Sequence, residues 1–344
     1  MSNNGYLEWA IRNTKTSWWH DSADPAELQL GLERGAVGVT TNPFLSNYSL
    51  DHNRDFWAEQ IKEVLSQNLD KVEKAEALMK IPVTYCAKQV LPEFEKSEGT
   101  RGYVCAQVNP AKHGDRDIML PMARRFSAWA PNIAVKLPAT AAGLDVLEDC
   151  VAEGITVACT VSFTVPQALA IGARHQAGIK RAEEKGIKPG RCYAVIMIGR
   201  LDDYLRDVVH DNQADIGESD IQMAGVACTK RAYRTYVEKG YTAELLVAAL
   251  RGSHHMTELT GADLIMSIHP KSIGPLVTDE FPKEERIEAD VPASVVERLS
   301  TLPEFVRAYE PDGMSPNEFI GYGATQRTMT QFLEIGWNLL QNFK

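Results

Sequence analysis

Residues 132–140 read Asn-Ile-Ala-Val-Lys-Leu-Pro-Ala-Thr, and Lys136 lies in the middle of this short apolar run. The alanine, isoleucine and valine before the lysine are typical of a buried β-strand. A buried ammonium is costly unless it is paired or deprotonated, so burial generally lowers the pKa of a lysine. A neutral amine attacks carbonyl groups and forms a Schiff base with them. The alternative, from this stretch alone, is a lysine at a strand end whose ammonium reaches water.

Strand and helix patterns alternate on both sides of this run. A first strand begins near residue 16 and closes at residues 18–21, after which Asp24 and Pro25 predict a helix start. A second strand covers residues 37–41 and is followed by a long helical region up to residue 99. A strand, a short helix and a second strand in succession predict a parallel crossover connection.

The remaining chain continues this alternation. Six further strands are predicted at residues 103–108, around Lys136, and at 155–163, 194–198, 245–250 and 264–268. Eight such units predict an α/β fold, a closed (β/α)8 TIM barrel, whose core covers residues 15–272. We expect a single domain over residues 1–344, with extra helices after the second strand and a C-terminal helical extension over residues 273–344. An open doubly wound sheet is the alternative, but no G-x-G-x-x-G follows the first strand.

Composition restricts the function classes. The chain has 344 residues, and a formal net charge of −10 argues against a nucleic-acid or anionic membrane partner. The 6 cysteines form no C-x-x-C pair and are interpreted as reduced core residues of a cytoplasmic protein. The polar start has no signal-peptide pattern, and no apolar run approaches the roughly 20 residues of a membrane helix.

Several short segments in chain order together resemble one known family. They are Gly-Val-Thr-Thr-Asn-Pro at 38–43, Ala-Val-Lys-Leu-Pro-Ala-Thr at 134–140, Gly-Ile at 154–155, Thr160, Gln-Ala at 167–168, Gly-Arg at 199–200, Asp-Asp at 202–203, Gly-Tyr at 240–241, Arg251, Gly-Ala-Asp at 261–263 and Ser-Ile-His-Pro at 267–270. The set resembles the transaldolase family of Schiff-base aldolases. The resemblance implies a (β/α)8 barrel in carbohydrate metabolism, in the pentose phosphate pathway, with no metal or organic cofactor.

The resemblance also implies catalytic roles. Lys136 matches the amine that attacks the ketose carbonyl, and Asp21 matches the carboxylate that takes the proton from the C4 hydroxyl. Thr160 matches the hydroxyl that orients a catalytic water. A retro-aldol cleavage needs an electron sink at C2 and a base at the departing hydroxyl, which a protonated imine and a carboxylate supply.

Substrate-binding roles follow in the same way. Asn42 matches an amide that holds substrate hydroxyls, and Arg200 and Arg251 match the two guanidiniums that hold a phosphate. Two arginines at strand ends offer paired donors to such a group. Each residue also has an ordinary alternative: Asn42 is a common turn residue, and Arg200 can pair with one of the aspartates that follow it. Likewise, Asp21 can brace a turn, and the Thr160 hydroxyl can be satisfied within its strand.

The sequence departs from the family pattern at important positions. Conventional transaldolases carry a glutamate on the third strand where this chain has Gln107. The fructose-6-phosphate aldolase branch of the family also has a glutamine there. That branch has a tyrosine, and transaldolases a phenylalanine, where this chain has Met197. Ala158, Val195 and Ala249 stand where polar side chains are usual. We therefore expect a less polar site.

An amide positions a water but does not accept its proton at neutral pH. We hypothesise that a water held by Gln107 and Thr160 discharges its proton to Asp21.

The function predicted first is transfer of a dihydroxyacetone unit between sugars or sugar phosphates. The alternatives are an aldolase that releases this unit, a barrel that binds a sugar phosphate without turnover, and a Schiff-base aldolase for a non-phosphorylated or otherwise anionic substrate.

The 8 histidines form no H-x-x-x-H pattern, and we interpret His254 and His255 as surface or helix-face residues. A final helix over residues 328–343, with Phe332, Ile335, Leu339 and Leu340 on one side, can cover its own barrel or that of a second copy. The sequence therefore leaves open whether the protein forms a homo-oligomer.

Overall fold

The computed structural model describes residues 5–277 and 281–344. Within these residues one parallel sheet has the strand order β1-β7-β6-β5-β4-β3-β2. Its strands are β1 (Ser17–His20), β2 (Val104–Gln107), β3 (Ile133–Pro138), β4 (Val157–Thr160), β5 (Cys192–Met197), β6 (Glu244–Ala248) and β7 (Ile265–Ile268). The predicted alternating α/β organisation is confirmed.

A single residue joins the two edges of this sheet. Val39 forms parallel bridges to His20 of β1 and to Val104 of β2. Its N–H donates to Tyr103 O at 2.9 Å, and Cys105 N–H donates to Val39 O at 3.0 Å. The sheet therefore curls into a TIM-barrel-like cylinder, as predicted.

The predicted second strand, residues 37–41, is wrong in extent because it is reduced to the bridge at Val39. The chain leaves the sheet at once, since Asn42 caps the next helix and Pro43 occupies its first position. The Asn42 side chain accepts the Leu45 N–H at 2.9 Å, which satisfies a donor at the helix start.

Helices surround the sheet and continue beyond its last strand. They are α1 (Tyr6–Asn13), α2 (Pro25–Glu33), α3 (Pro43–His52), α4 (Ala58–Leu65), α5 (Lys71–Lys96), α6 (Arg116–Ser127), α7 (Ala141–Ala152), α8 (Val165–Glu183), α9 (Ile198–Asn212), α10 (Glu218–Ile221), α11 (Ala224–Lys239), α12 (His254–Thr257), α13 (Pro270–Leu276), α14 (Ala293–Leu299), α15 (Pro303–Tyr309), α16 (Pro316–Phe319), α17 (Gly323–Phe332) and α18 (Asn338–Gln341). Pro110–Lys112 forms a 3₁₀ turn. The predicted extra helices after the second strand are α3, α4 and α5. In the described part of the chain no helix is long and apolar enough to cross a membrane.

Aromatic rings fill the amino end of the cylinder. The Trp19 and Tyr193 ring centroids lie 4.7 Å apart, and those of Tyr103 and Tyr193 lie 5.8 Å apart. Side chains alternate along a strand, so the next residue of the first strand to face inward after Trp19 is Asp21. The aromatic rings thus occupy the amino end of the cylinder, and the carboxyl end is left for polar groups.

The C-terminal helix differs from its predicted form. A π-helical turn, Leu333–Trp337, separates α17 from α18. Phe332 and Leu340 are buried, whereas Ile335 and Leu339 are 46% and 45% exposed. The predicted apolar side is therefore wrong for Leu339, because a π turn adds a residue and shifts the faces that follow it. Ile335 lines a cavity together with Phe332. The predicted single domain over the whole chain stays a prediction, although buried side chains from Tyr6 to Phe343 belong to one core cluster.

Candidate active site

A cavity of about 290 Å³ opens at the carboxyl ends of the strands, close to the lower end of the about 300–1,000 Å³ usual for small-molecule sites. Six of the eight residues predicted from the sequence line it: Asp21, Asn42, Lys136, Met197, Arg200 and Arg251. Val195 and Ala249, two of the expected apolar replacements, line it as well. Catalytic groups of such barrels lie at this end of the strands.

Lys136 is the buried lysine of this cavity. It lies in β3, in register with Gln107 of β2 and Ala158 of β4. Its side chain is almost enclosed, and the residue is 5% exposed. Its Nζ donates to Thr41 O at 3.4 Å, a long bond compared with the range of about 2.7–3.2 Å that is usual for N–H···O contacts. The amine therefore has capacity left for a ligand.

Asp21 lies in the wall of the same cavity, directly after β1. The Thr40 hydroxyl donates to its carboxylate at 2.6 Å. The hydroxyls of Thr40 and Ser267 are also 2.6 Å apart. This chain of hydrogen bonds orients the carboxylate.

Gln107 and Thr160 are buried beside the cavity but do not line it. Gln107 is 3% exposed, and its Oε1 finds no hydrogen-bond partner among residues 5–277 and 281–344. The Thr160 hydroxyl donates to the Met197 sulfur at 3.8 Å. The buried Gln107 carbonyl oxygen is thus an acceptor that a bound water or substrate hydroxyl can satisfy.

Arg200 projects into the cavity from the first turn of α9. Its Nη1 donates to Gln331 Oε1, a neutral partner from α17. Burial, followed by the positive charge of Arg251, lowers the pKa of Arg200 from its usual value. The guanidinium is therefore desolvated and close to another cation, which favours binding of an anion.

Arg251 differs because its charge already has a carboxylate partner. Its Nε and Nη2 donate to Asp203 Oδ2 at 2.9 and 2.7 Å. Burial alone would raise the pKa of Asp203, but the hydrogen bonds and charges of Arg251 and Arg206 lower it below the usual value. The pairing considered for Arg200 in the sequence is thus made by Arg251.

His255 corrects the surface interpretation of the two neighbouring histidines. It is completely buried, and its Nε2 lies 2.8 Å from Asp202 Oδ2. Its Nδ1 accepts the backbone N–H of Arg251 at 3.1 Å. Because Nδ1 accepts, the ring proton lies on Nε2 and is donated to Asp202. The interpretation failed because Asp202 lies on α9, far away in sequence.

The same cluster is the candidate metal centre of the described residues. Ligand atoms of Asp202, His254 and His255 lie within 4.8 Å of one another. However, both ring nitrogens of His255 are already engaged, so a metal would have to break its bonds to Asp202 and Arg251. Burial lowers the pKa of His254 to about 4, so its imidazole is neutral at pH 7. The cluster is therefore better explained as a structural support for the Arg251 backbone than as a metal site.

Several further cavity residues were missed in the sequence. They include Ser267, His269, Ser272, Gln331, Phe332 and Ile335. Side chains alternate along β7, and Ile268 pairs with His20, so Ser267 and His269 face the cavity on the same side as Asp21. This alternation could have identified both residues from the sequence. No local pattern in the sequence points to Gln331.

The fold and the cavity together define a class: a parallel α/β barrel with a buried lysine and a carboxylate at the carboxyl ends of its strands. Comparison with known families agrees, since residues 18–306 match the model described as Transaldolase/Fructose-6-phosphate aldolase. The chain belongs to this family.

Individual relatives carry the name transaldolase. The protein from Acidothermus cellulolyticus is 29% identical over 252 residues, which cover 69% of this chain and 66% of the relative. The proteins from Thiobacillus denitrificans and Mycolicibacterium paratuberculosis are 28% and 30% identical, with 67% of this chain and 65% and 64% of their lengths covered. The matched part of the chain thus spans slightly less than two thirds of these relatives.

Proposed function

We propose that this chain is a transaldolase-like transferase that moves a dihydroxyacetone unit between sugar phosphates through a Schiff base on Lys136. The observation that carries the proposal is an almost enclosed amine with one long hydrogen bond, at 3.4 Å, in the same cavity as Asp21. Membership of the family and the names of the relatives support the reaction class.

The first stage forms the imine. The Lys136 side chain releases one proton and adds as an amine to the ketone carbon. The proton returns to the carbinolamine hydroxyl, which leaves as water, and a protonated imine remains at C2. The Asp21 carboxylate then takes the C4 hydroxyl proton, the C3–C4 bond breaks, and its electron pair moves into the imine to give an enamine. An aldehyde leaves. In transfer, the enamine attacks a second aldehyde, after which hydrolysis returns the free lysine.

The proton movements of imine formation lack the usual glutamate. We propose that a water between Gln107 and Thr160 carries a proton from Lys136 to Asp21, and that Asp21 returns it to the carbinolamine hydroxyl that leaves as water. Asp21 is then a carboxylate again when cleavage begins. The unsatisfied, buried Gln107 oxygen supports the idea, because it is an acceptor without a protein donor in the described residues. Gln107→Ala is expected to slow imine formation; an unchanged rate would remove this water from the scheme.

Substrate binding is assigned to the polar groups of the cavity wall. Asn42 holds hydroxyls, Met197 contacts the sugar carbons, and Arg200 is the principal phosphate anchor because its guanidinium faces a neutral amide. Arg251 contributes less, since Asp203 already accepts two of its N–H groups. Arg200→Ala should therefore raise the KM for phosphorylated substrates more than Arg251→Ala does.

The second candidate is an aldolase that releases the dihydroxyacetone unit. It is favoured by Gln107, an amide at the position of a proton-accepting glutamate. Fructose 6-phosphate is incubated with the protein, with and without an aldose phosphate acceptor. Product that forms only with the acceptor supports transfer. Free dihydroxyacetone without acceptor supports the aldolase, and intact substrate in both samples supports a binding protein.

The proposal includes a small-molecule sugar phosphate as partner and a cytoplasmic location. The cysteines support a reducing compartment, since all 6 are buried free thiols. Burial raises the pKa of the Cys105 thiol to about 11, which makes it unreactive.

A further inference from the structure

The C-terminal helical segment, residues 323–341, crosses the cavity mouth of its own barrel. Gln331, Phe332 and Ile335 of this segment line the cavity that holds Lys136. The match to the family model ends at residue 306, so the segment lies beyond the matched part of the chain. Part of the cavity wall is therefore built by residues that the family match does not describe.

The segment is held in place by close packing against α3. A Cβ at Gly336 would lie 2.7 Å from Phe44 N and 3.1 Å from Pro43 Cβ, so a side chain does not fit there. Trp337 and Leu340, on either side of the end of the π turn, are completely buried. Because α3 also begins with the cap Asn42, this packing fixes the segment relative to the cavity wall.

Gln331 of this segment makes a polar contact with Arg200. Gln331 Oε1 accepts a hydrogen bond from Arg200 Nη1. The neighbouring arginines are neutralised by carboxylates, Arg251 by Asp203 and Arg327 by Asp207. No carboxylate pairs with Arg200 within residues 5–277 and 281–344, and its buried Nε has no partner there.

An amide and a carboxylate act very differently at this position. A carboxylate would orient the guanidinium and also cancel its charge, as Asp203 does for Arg251. An amide orients it through one hydrogen bond and leaves its full positive charge for a ligand. Gln331 is therefore suited to keep Arg200 both oriented and available.

We propose that Gln331 is a positioning residue that determines specificity for a phosphorylated substrate, by holding Arg200 without neutralising it. The inference rests on the proposed function, since the phosphate is that of the sugar that reacts at Lys136. It goes beyond that function because it assigns substrate selection to the C-terminal segment. Gln331 acts through Arg200 and takes no part in the C–C bond chemistry.

The test compares Gln331→Glu with Gln326→Glu, which adds the same charge on the same helix at an exposed position outside the cavity. For Gln331→Glu we expect the KM for fructose 6-phosphate to rise by about 10-fold or more, with kcat within about twofold of wild type. Borohydride trapping of dihydroxyacetone on Lys136 should stay unchanged, because this donor has no phosphate. Gln326→Glu should match wild type with both donors.

Gln331→Leu separates the hydrogen bond from the charge and also serves if the glutamate variant does not fold. Its KM for fructose 6-phosphate should rise by several-fold, less than in a folded Gln331→Glu protein. Equal losses with fructose 6-phosphate and dihydroxyacetone would indicate a disturbed cavity mouth and would overturn the proposal. Unchanged KM values in both variants would overturn it as well.

Binding of inorganic phosphate, measured by calorimetry, gives a readout that does not depend on catalysis. Wild type and Gln326→Glu are expected to bind it, and Gln331→Glu about 10-fold more weakly. If wild type binds phosphate but never forms an adduct at Lys136, the proposed function fails and the role of Gln331 in anion binding stands. Equal phosphate affinity in the three proteins contradicts the role of Gln331.

Discussion

Two buried lysines lie in different regions of this molecule and have opposite surroundings. Lys230, on α11 outside the barrel, is 2% exposed and donates to Arg286 O at 2.8 Å, Ala289 O at 2.5 Å and Glu258 at 3.3 Å. Lys136, at the mouth, is 5% exposed and reaches Thr41 O at 3.4 Å. An ammonium has three N–H donors, so the first lysine is saturated and the second is not.

The comparison teaches that burial alone does not identify a nucleophile. Burial lowers the pKa of Lys230, and Glu258 opposes this effect. Its protonated form nevertheless has acceptors for all three donors, which makes it a structural cross-link between α11 and the chain near residue 288. Lys136 has few acceptors and faces a cavity, so its amine is free to react with a carbonyl.

The largest effect is expected for Lys136→Met. Loss of the amine removes the site of imine formation, so we expect kcat to fall by about 10⁴-fold or more. The free energy of unfolding should change by less than about 1 kcal/mol, because one long hydrogen bond is lost. Product assays and urea denaturation measure the two quantities. Substantial residual turnover by the folded variant would refute the nucleophilic role.

Asp21→Asn tests the base for C–C cleavage. The amide cannot take the C4 hydroxyl proton, so we expect C–C cleavage to slow by about 10²–10⁴-fold. The trapped adduct at Lys136 should still form with dihydroxyacetone, but more slowly, because Asp21 also relays the proton of imine formation. Asp117→Asn, at an exposed carboxylate with a side chain 92% exposed, is the matched control. Wild-type cleavage by the Asp21 variant would show that the base is elsewhere.

Lys230→Met should give the opposite profile from Lys136→Met. It leaves Glu258 and two backbone carbonyls without their buried donor, so we expect unfolding to become easier by about 2–4 kcal/mol. Turnover per folded molecule should stay within about twofold of wild type. Urea denaturation followed by fluorescence measures the first quantity. If both lysine variants lose stability equally, the distinction between the two sites is wrong.

The contrast between a paired and an unpaired cation also applies to the two arginines of the cavity. Here the expected change in stability is smaller. The folded-state pKa of Asp203 is lowered by Arg251 and Arg206 despite its burial. Its ionised form therefore stabilises the protein above the unfolded pKa of about 4, and this contribution is lost as pH falls through the lower folded pKa. Asp203→Asn should make the loss of stability between about pH 5 and about pH 2 shallower.

Thermal unfolding across this pH range checks the Asp203 prediction. Asp51→Asn is the control, because its carboxylate pairs with Arg54 on the surface, where both side chains are about half exposed. Identical pH profiles for wild type and Asp203→Asn would contradict a stabilising Arg251–Asp203 pair.

Much of the site could be predicted because parallel strands bring their carboxyl ends together. Lys136 on β3 and Asp21 after β1 follow from that rule, and the cavity contains both. The reduction of the second strand to a single bridge at Val39 could not be predicted, since one bridge gives no period of two to recognise. The roles assigned to Gln107 and Thr160 stay predictions, as both residues lie beside the cavity wall.

Contacts distant in sequence account for the remaining misses. His255 is buried together with Asp202, 53 positions earlier, which accepts a hydrogen bond from its ring. Gln331 reaches Arg200 over a separation of 131 positions, from a helix whose π turn interrupts the regular period. Such pairs depend on how whole helices pack, which local patterns along the chain do not specify.

Reductive trapping with site-resolved detection tests the central claim most directly. The protein is incubated with fructose 6-phosphate and borohydride, digested, and analysed by peptide mass spectrometry. We predict a reduced dihydroxyacetone adduct on the peptide that contains Lys136 and an unmodified Lys230. No adduct, or one on Lys230 while Lys136 stays unmodified, would contradict the account.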